Sequence, residues 1–133
     1  MLKPLLVYIP ALFTLILPAC TVFENCICTT EFRVETVLIL DNQNNPVDSL
    51  NVEIMNASGR QYIVQQSLFS EPGRYVVIDD SYTNEFSTIP WVIFFKAWND
   101  SVSVQAQYGI ITDDCKCHIY KTSGPDTLFI NLN

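Results

Sequence analysis

Basic residues, histidine and glycine are all scarce in this chain: seven lysines and arginines face fourteen acids, with one histidine and four glycines in 133 residues. Each shortage excludes something. A protein that grips nucleic acid neutralises phosphates with a basic patch, and a formal charge of −7 argues against one. Docking on anionic lipid by charge fails for the same reason. Four scattered glycines form no glycine-rich phosphate loop, and neither His-Glu-x-x-His nor Gly-x-Ser-x-Gly occurs. A hydrolase or transferase needs a base placed beside its nucleophile, and His118 sits between Cys117 and an alternating run, where it reads as structural. The pairs Asp79-Asp80 and Asp113-Asp114 lack the regular oxygen spacing of a calcium loop and read as solvated turn acids. No cofactor and no bound metal is expected.

What is present begins at the amino terminus. Lys3 is the only basic residue before Arg33, and an apolar run follows from Leu5 to Ala19, the layout of a signal peptide. Fifteen helical residues reach ~22 Å against a hydrocarbon core of ~30 Å, and Pro10 and Pro18 interrupt the run. A spanning helix does not fit. The run ends in Leu17-Pro18-Ala19-Cys20, which resembles the lipobox of bacterial lipoprotein precursors, although Pro18 departs from the small or β-branched residue usual there. The resemblance implies that residues 1–19 are removed and that the Cys20 thiol takes a diacylglyceryl group. Residues 20–32 would form a lipidated tether and residues 33–133 the folded domain. Two or three acyl chains make such an anchor stable where one does not. Thr21-Val22 bring no acidic cluster of the kind that marks surface export. The expected place is therefore the cell envelope, lipid-anchored, with the periplasmic side of the outer membrane favoured.

Beyond the tether, helical periodicity is nearly absent, and β-branched and aromatic residues come in short runs separated by Asn, Asp, Gly and Pro. The runs are Arg33 to Leu40, Leu50 to Met55, Gln61 to Val64, Arg74 to Ile78, Trp91 to Trp98, Ser101 to Ile110, His118 to Lys121 and Thr127 to Asn131. Seven or eight strands of this spacing predict an all-β fold, a single β-sandwich. From Ser101 to Tyr108 every even position is apolar and every odd one polar, so this strand buries one face. Trp91 to Phe95 is apolar throughout, which fits a strand covered on both sides, as in the centre of a core, or one with a face that meets a partner. Gln65 to Glu71 and Ser81 to Ile89 read as loops with short helical turns.

Apart from Cys20, four cysteines remain, as Cys26-Ile27-Cys28 and Cys115-Lys116-Cys117. An even count in an exported chain predicts disulfides, and residues two apart in a strand share a face, so the two segments offer matched thiol pairs. Bridging within one Cys-x-Cys closes a very tight ring. Either cross-set is therefore expected: Cys26 with Cys117 and Cys28 with Cys115, or Cys26 with Cys115 and Cys28 with Cys117. A zinc site formed by these cysteines and His118 would need wider spacing to wrap the ion.

Val37-Leu-Ile-Leu-Asp41, a turn with Pro46-Val47, Leu50-Asn-Val-Glu-Ile54 and Gly73-Arg74-Tyr75 together resemble the carboxypeptidase regulatory-like domain, a family with a prealbumin-like (transthyretin-like) sandwich. The likeness covers residues 34–78 and departs from the family pattern at Asp48-Ser49-Leu50, where a small pair is usual. The tail from Asp114 to Pro125 is similar to the Cys-x-Cys-His end of small Bacteroidota lipoproteins. These resemblances imply fold and placement. The function expected is that of a membrane-anchored, non-catalytic accessory or binding module, with an envelope protein or a glycan as partner. An enzyme or a metal or redox protein using the Cys-x-Cys pairs is the alternative. Exposed Trp91, Trp98, Tyr82 or Tyr108 in a groove would indicate a glycan, and a flat apolar patch around Ile93 to Phe95 a protein.

Overall fold

A computed structural model describes residues 26–131. Cys20, the leader before it and the first part of the tether lie outside the described residues. Seven strands form two sheets: β1 (Val34–Asp41), β2 (Asn51–Asn56), β3 (Arg74–Asp79), β4 (Trp91–Trp98), β5 (Ser103–Thr112), β6 (Ile119–Ser123) and β7 (Thr127–Ile130). One sheet has the order β3-β1-β7, with β7 parallel to β1. The other runs β2-β4-β5-β6 and is antiparallel throughout. The β-sandwich expected from the strand pattern is the fold observed.

The alternation of apolar residues builds the layer between the sheets. Val37 and Ile39 of β1 and Tyr75 and Val77 of β3 meet Ile54 of β2, Ile93, Phe95 and Ala97 of β4, and Tyr108 and Ile110 of β5, all buried in one cluster. The even residues of β5 behave as the sequence requires, half-buried at Val104 and Ala106 and fully buried at Tyr108. Outer edges are managed by side chains. The Gln66 carboxamide donates to the Val76 carbonyl at 3.0 Å and accepts the Val76 N–H at 2.8 Å, occupying the free edge of β3 where another strand could add.

Two sequence expectations are corrected. Gln61 to Val64 is not a strand. Gln61 makes a single bridge to Met55 and Tyr62 donates to the Ile54 carbonyl, after which the Tyr82 hydroxyl takes both polar groups of Ile63, at 2.7 and 2.8 Å. That hydroxyl replaces the ladder. Nor is β4 covered on both sides: Ile93, Phe95 and Ala97 are fully buried, whereas Val92 is 44% exposed and Phe94 is half-buried on the outer face. The loop readings hold, since Gln66–Leu68 and Asp80–Glu85 are short 3-10 turns.

Strand direction defines two ends of the sandwich. β1 and β4 start, and β3 and β5 finish, at the end from which the tether leaves; β1 and β4 finish at the far end, where β2 begins.

Candidate functional site

Residues 26–33 contribute no strand, so no strand pairing holds them. Two disulfides do. Cys26 pairs with Cys115 and Cys28 with Cys117, with Cα separations of 5.5 and 5.3 Å. The pairing joins the tether to the turn between β5 and β6 in parallel sense, choosing one of the two cross-sets the sequence left open. Each bridge spans 89 residues. In the chain-entropy picture the first contributes roughly 4 to 5 kcal/mol by restricting the unfolded chain, and the second, closing little new loop, adds much less.

The turn that carries Cys115 and Cys117 is itself shaped by Asp113. Its carboxylate accepts the backbone N–H groups of Cys117 at 2.8 Å and His118 at 3.1 Å, while Lys116 takes a positive φ of 55°. Beneath the disulfides lies a polar chain that crosses from tether to sandwich. The Asp80 carboxylate accepts Arg33 N–H at 2.8 Å and Ile119 N–H at 2.8 Å. His118 Nδ1 stands 2.7 Å from Asp80 Oδ2, and its Nε2 stands 2.8 Å from the Thr29 hydroxyl. The Asp80 carboxylate can only accept, so Nδ1 is the donor to it, and Nε2 and the Thr29 hydroxyl complete the chain on the tether side. The side chains of His118 and Asp80 are 8% and 7% exposed.

Asp79 and Asp80 are thus not solvated turn acids. Asp79 is 4% exposed and caps the second 3-10 turn through the Ser81 N–H, and Asp80 is a buried hub. Burial without these donors would be costly, so the donors explain the burial. The sequence offered the acids and the histidine but not their meeting, because Asp80 and His118 stand 38 positions apart. Thr29 carried no signal at all.

A hydroxyl, an imidazole and a carboxylate in series have the connectivity of a nucleophile, a base and an orienting acid. Here, however, Asp80 also holds two backbone amides, and none of the four surface recesses described includes Thr29 or His118 in its walls. What the arrangement does is fasten. It binds the tether, the second 3-10 turn and the start of β6 into one unit.

The largest of these recesses, about 450 Å³, lies on the outer face of the β2-β4-β5 sheet. Cross-strand register sets Glu53, Lys96 and Gln105 in one row and Met55, Phe94 and Gln107 in the next. Lys96 Nζ lies 5.2 Å from the centre of the Trp98 ring. The aromatic residues singled out in the sequence do not share a groove: Tyr108 is fully buried, and Trp91 and Trp98 occupy opposite ends of β4. Ile93 and Phe95 are likewise inside, so they form no surface patch.

No family model matches the chain, and no curated protein or solved structure is similar enough to be matched. Function is therefore argued from the geometry of this chain. Among the described residues, no helix is long and apolar enough to cross a membrane.

Proposed function

We propose that this chain is a lipoprotein precursor of a bacterial cell envelope, that residues 1–19 are its leader, and that Cys20 carries the lipid. The mature protein is then a non-catalytic accessory or binding module held at the membrane by its amino terminus, with the periplasmic side of the outer membrane as its place. The observation that carries this reading is the pairing of Cys26 with Cys115 and Cys28 with Cys117. Disulfides persist in oxidising compartments outside the cytoplasm, which supports export. Four of the five cysteines are used in them, and the fifth is Cys20, at the end of the apolar run. A tether under an anchor also needs fastening to its domain, and the staple provides it.

The likeness of residues 34–78 to the carboxypeptidase regulatory-like domain belongs to the same proposal. It is supported by the work of Gly73 and Tyr75, two residues of that motif, in closing the β1–β2 corner. Asp48, where the family pattern is departed from, supplies the acceptor for the Gly73 N–H at 2.6 Å.

Intact mass measurement of the protein extracted from membranes is the test. A mature chain beginning at Cys20 with added acyl mass is expected, and Cys20→Ala is expected to leave an uncut precursor. A mature chain with an unmodified Cys20 that partitions into the aqueous phase would sink the proposal.

A further inference from the structure

The nine large apolar side chains exposed among the described residues are not spread evenly. Ile27 (91% exposed), Phe32, Ile89 (72%), Trp91 (49%) and Val92 all sit at the tether end, on the tether itself or at the start of β4. Ile27 lies between the two stapled cysteines, and the segment before Ile89 is held to the end of β5 by the Thr112 N–H on the Ser87 carbonyl. Of the remaining four, Phe69 borders a recess with Glu31, Phe32 and Arg33, and Ile63, Leu68 and Phe129 stand apart from that cluster.

The chain before Cys26 says what faces this end. From Cys20 to Cys26 there are six residue steps, which span at most ~20 Å fully extended. Without the staple the free chain would run to Val34, fourteen steps or ~50 Å. The two disulfides therefore shorten the leash by more than half and keep close to the bilayer the end of the sandwich at which β1 starts. It is the end with the exposed apolar residues.

We infer that the tether end of the sandwich rests on the lipid bilayer, with Ile27, Ile89 and Trp91 seated among the headgroups as a second, reversible attachment beside the lipid. This rests on the anchor proposed above. Tryptophan and aliphatic side chains at the edge of a folded domain favour that depth, where the ring buries its apolar body and keeps its N–H wet. The charged residues of this end include five acids, Glu31, Asp80, Glu85, Asp113 and Asp114, against three bases, Arg33, Arg60 and Lys116, so the contact is apolar and does not depend on anionic lipid. The domain would stand upright on the membrane, its far end and the outer face of β4 presented to the aqueous side.

The chain supplies its own control. Trp91 and Trp98 are seven residues apart on one strand, ~23 Å, so one reporter stands at the membrane and the other well above it. The native lipidated protein, its acyl mass confirmed, is reconstituted into phosphatidylcholine vesicles with and without brominated acyl chains, as Trp98→Phe and as Trp91→Phe. The inference predicts that bromine quenches the emission of Trp91 and spares that of Trp98, and that salt changes neither. Cys26→Ser combined with Cys28→Ser, still lipidated, is expected to lose most of the Trp91 quenching because the leash lengthens. Lipid-bearing protein in which neither tryptophan is quenched, or both are quenched equally, would overturn the inference and leave the anchor standing. Absence of lipid on Cys20 would overturn the anchor and this inference with it.

Discussion

The two ends of the sandwich are held by different kinds of interaction. At the far end the β1–β2 corner closes on hydrogen bonds alone: the Tyr75 hydroxyl donates to the Val47 carbonyl at 2.8 Å and accepts the Leu50 N–H at 3.2 Å. Gly73, at φ 72°, passes so close beneath that a Cβ would stand 2.8 Å from the Ile39 carbonyl oxygen and from Pro46. Only glycine meets both the positive φ and the close approach. At the tether end, disulfides and a carboxylate–imidazole chain do the holding. The difference follows from what each end must secure. The corner joins segments already placed by β1 and β3, so a few short-range bonds suffice. The tether has no strand partner, so cross-links and buried polar bonds together offset the entropy of fixing it.

Breaking the staple has the largest expected effect. Cys26→Ser with Cys28→Ser is expected to lower the unfolding free energy by roughly 4 to 5 kcal/mol, read as a fall in the denaturant midpoint that reductant reproduces in the wild type. Equal midpoints with and without reductant would remove the contrast between the ends. Asp80→Ala comes next, because it strips an acceptor from two buried amides and an imidazole, at about 3 kcal/mol. Hydrogen exchange locates that loss: the Arg33 and Ile119 amides are expected to lose protection while the Tyr75 corner keeps it.

At the far end Tyr75→Phe is expected to cost about 1 to 3 kcal/mol, since the Leu50 N–H and the Val47 carbonyl lose their buried partner. Its unfolding curve should move in the same direction whether or not the disulfides are reduced. Tyr108→Phe sharpens the comparison from the core. Its buried hydroxyl has no hydrogen-bond partner among the described residues, and burial pushes its pKa upward. Removal is expected to leave stability within about 0.5 kcal/mol or to raise it, as chemical denaturation would read.

The smallest effect is acid sensitivity at the far end. The Asn45 backbone N–H, then its side-chain amide, hold the exposed Asp41 carboxyl below its ordinary value, and Arg74 does the same for exposed Glu71. Stabilisation from a depressed carboxyl is complete above the unfolded pKa and is lost as pH falls through the lower folded one. The loss therefore comes below about pH 4. NMR titration of the Asp41 carboxyl with the Asn45 amide should show both moving together, and independent titrations would discount the turn as its cause.

How legible each part was depended on distance along the chain. The alternation in β5 and the Asn- and Asp-rich turns were readable because side-chain period and turn chemistry are local. The Asp41 carboxylate, for example, accepts the N–H groups of Gln43 and Asn45, each at 2.8 Å, as a turn acid should. Asn56 and Asn99 likewise close their own turns. Gln61 to Val64 was misread because the tyrosine hydroxyl that replaces its ladder lies nineteen positions away from Ile63. Asp80 was misread because a buried acid and a turn acid look alike until the donors are in place.

Sequence by itself therefore determined the fold class, the positions of the seven strands and the candidacy of four cysteines, since each depends on neighbours within a few residues. Tertiary structure decided which cross-set the cysteines form, which face of β4 is covered, and that Asp80, His118 and Thr29 meet. It also brought Ile27, Ile89 and Trp91 to one end. The reason is geometric: pattern and propensity act along the chain, whereas pairing, burial and surface placement depend on how strands far apart in sequence come to lie side by side.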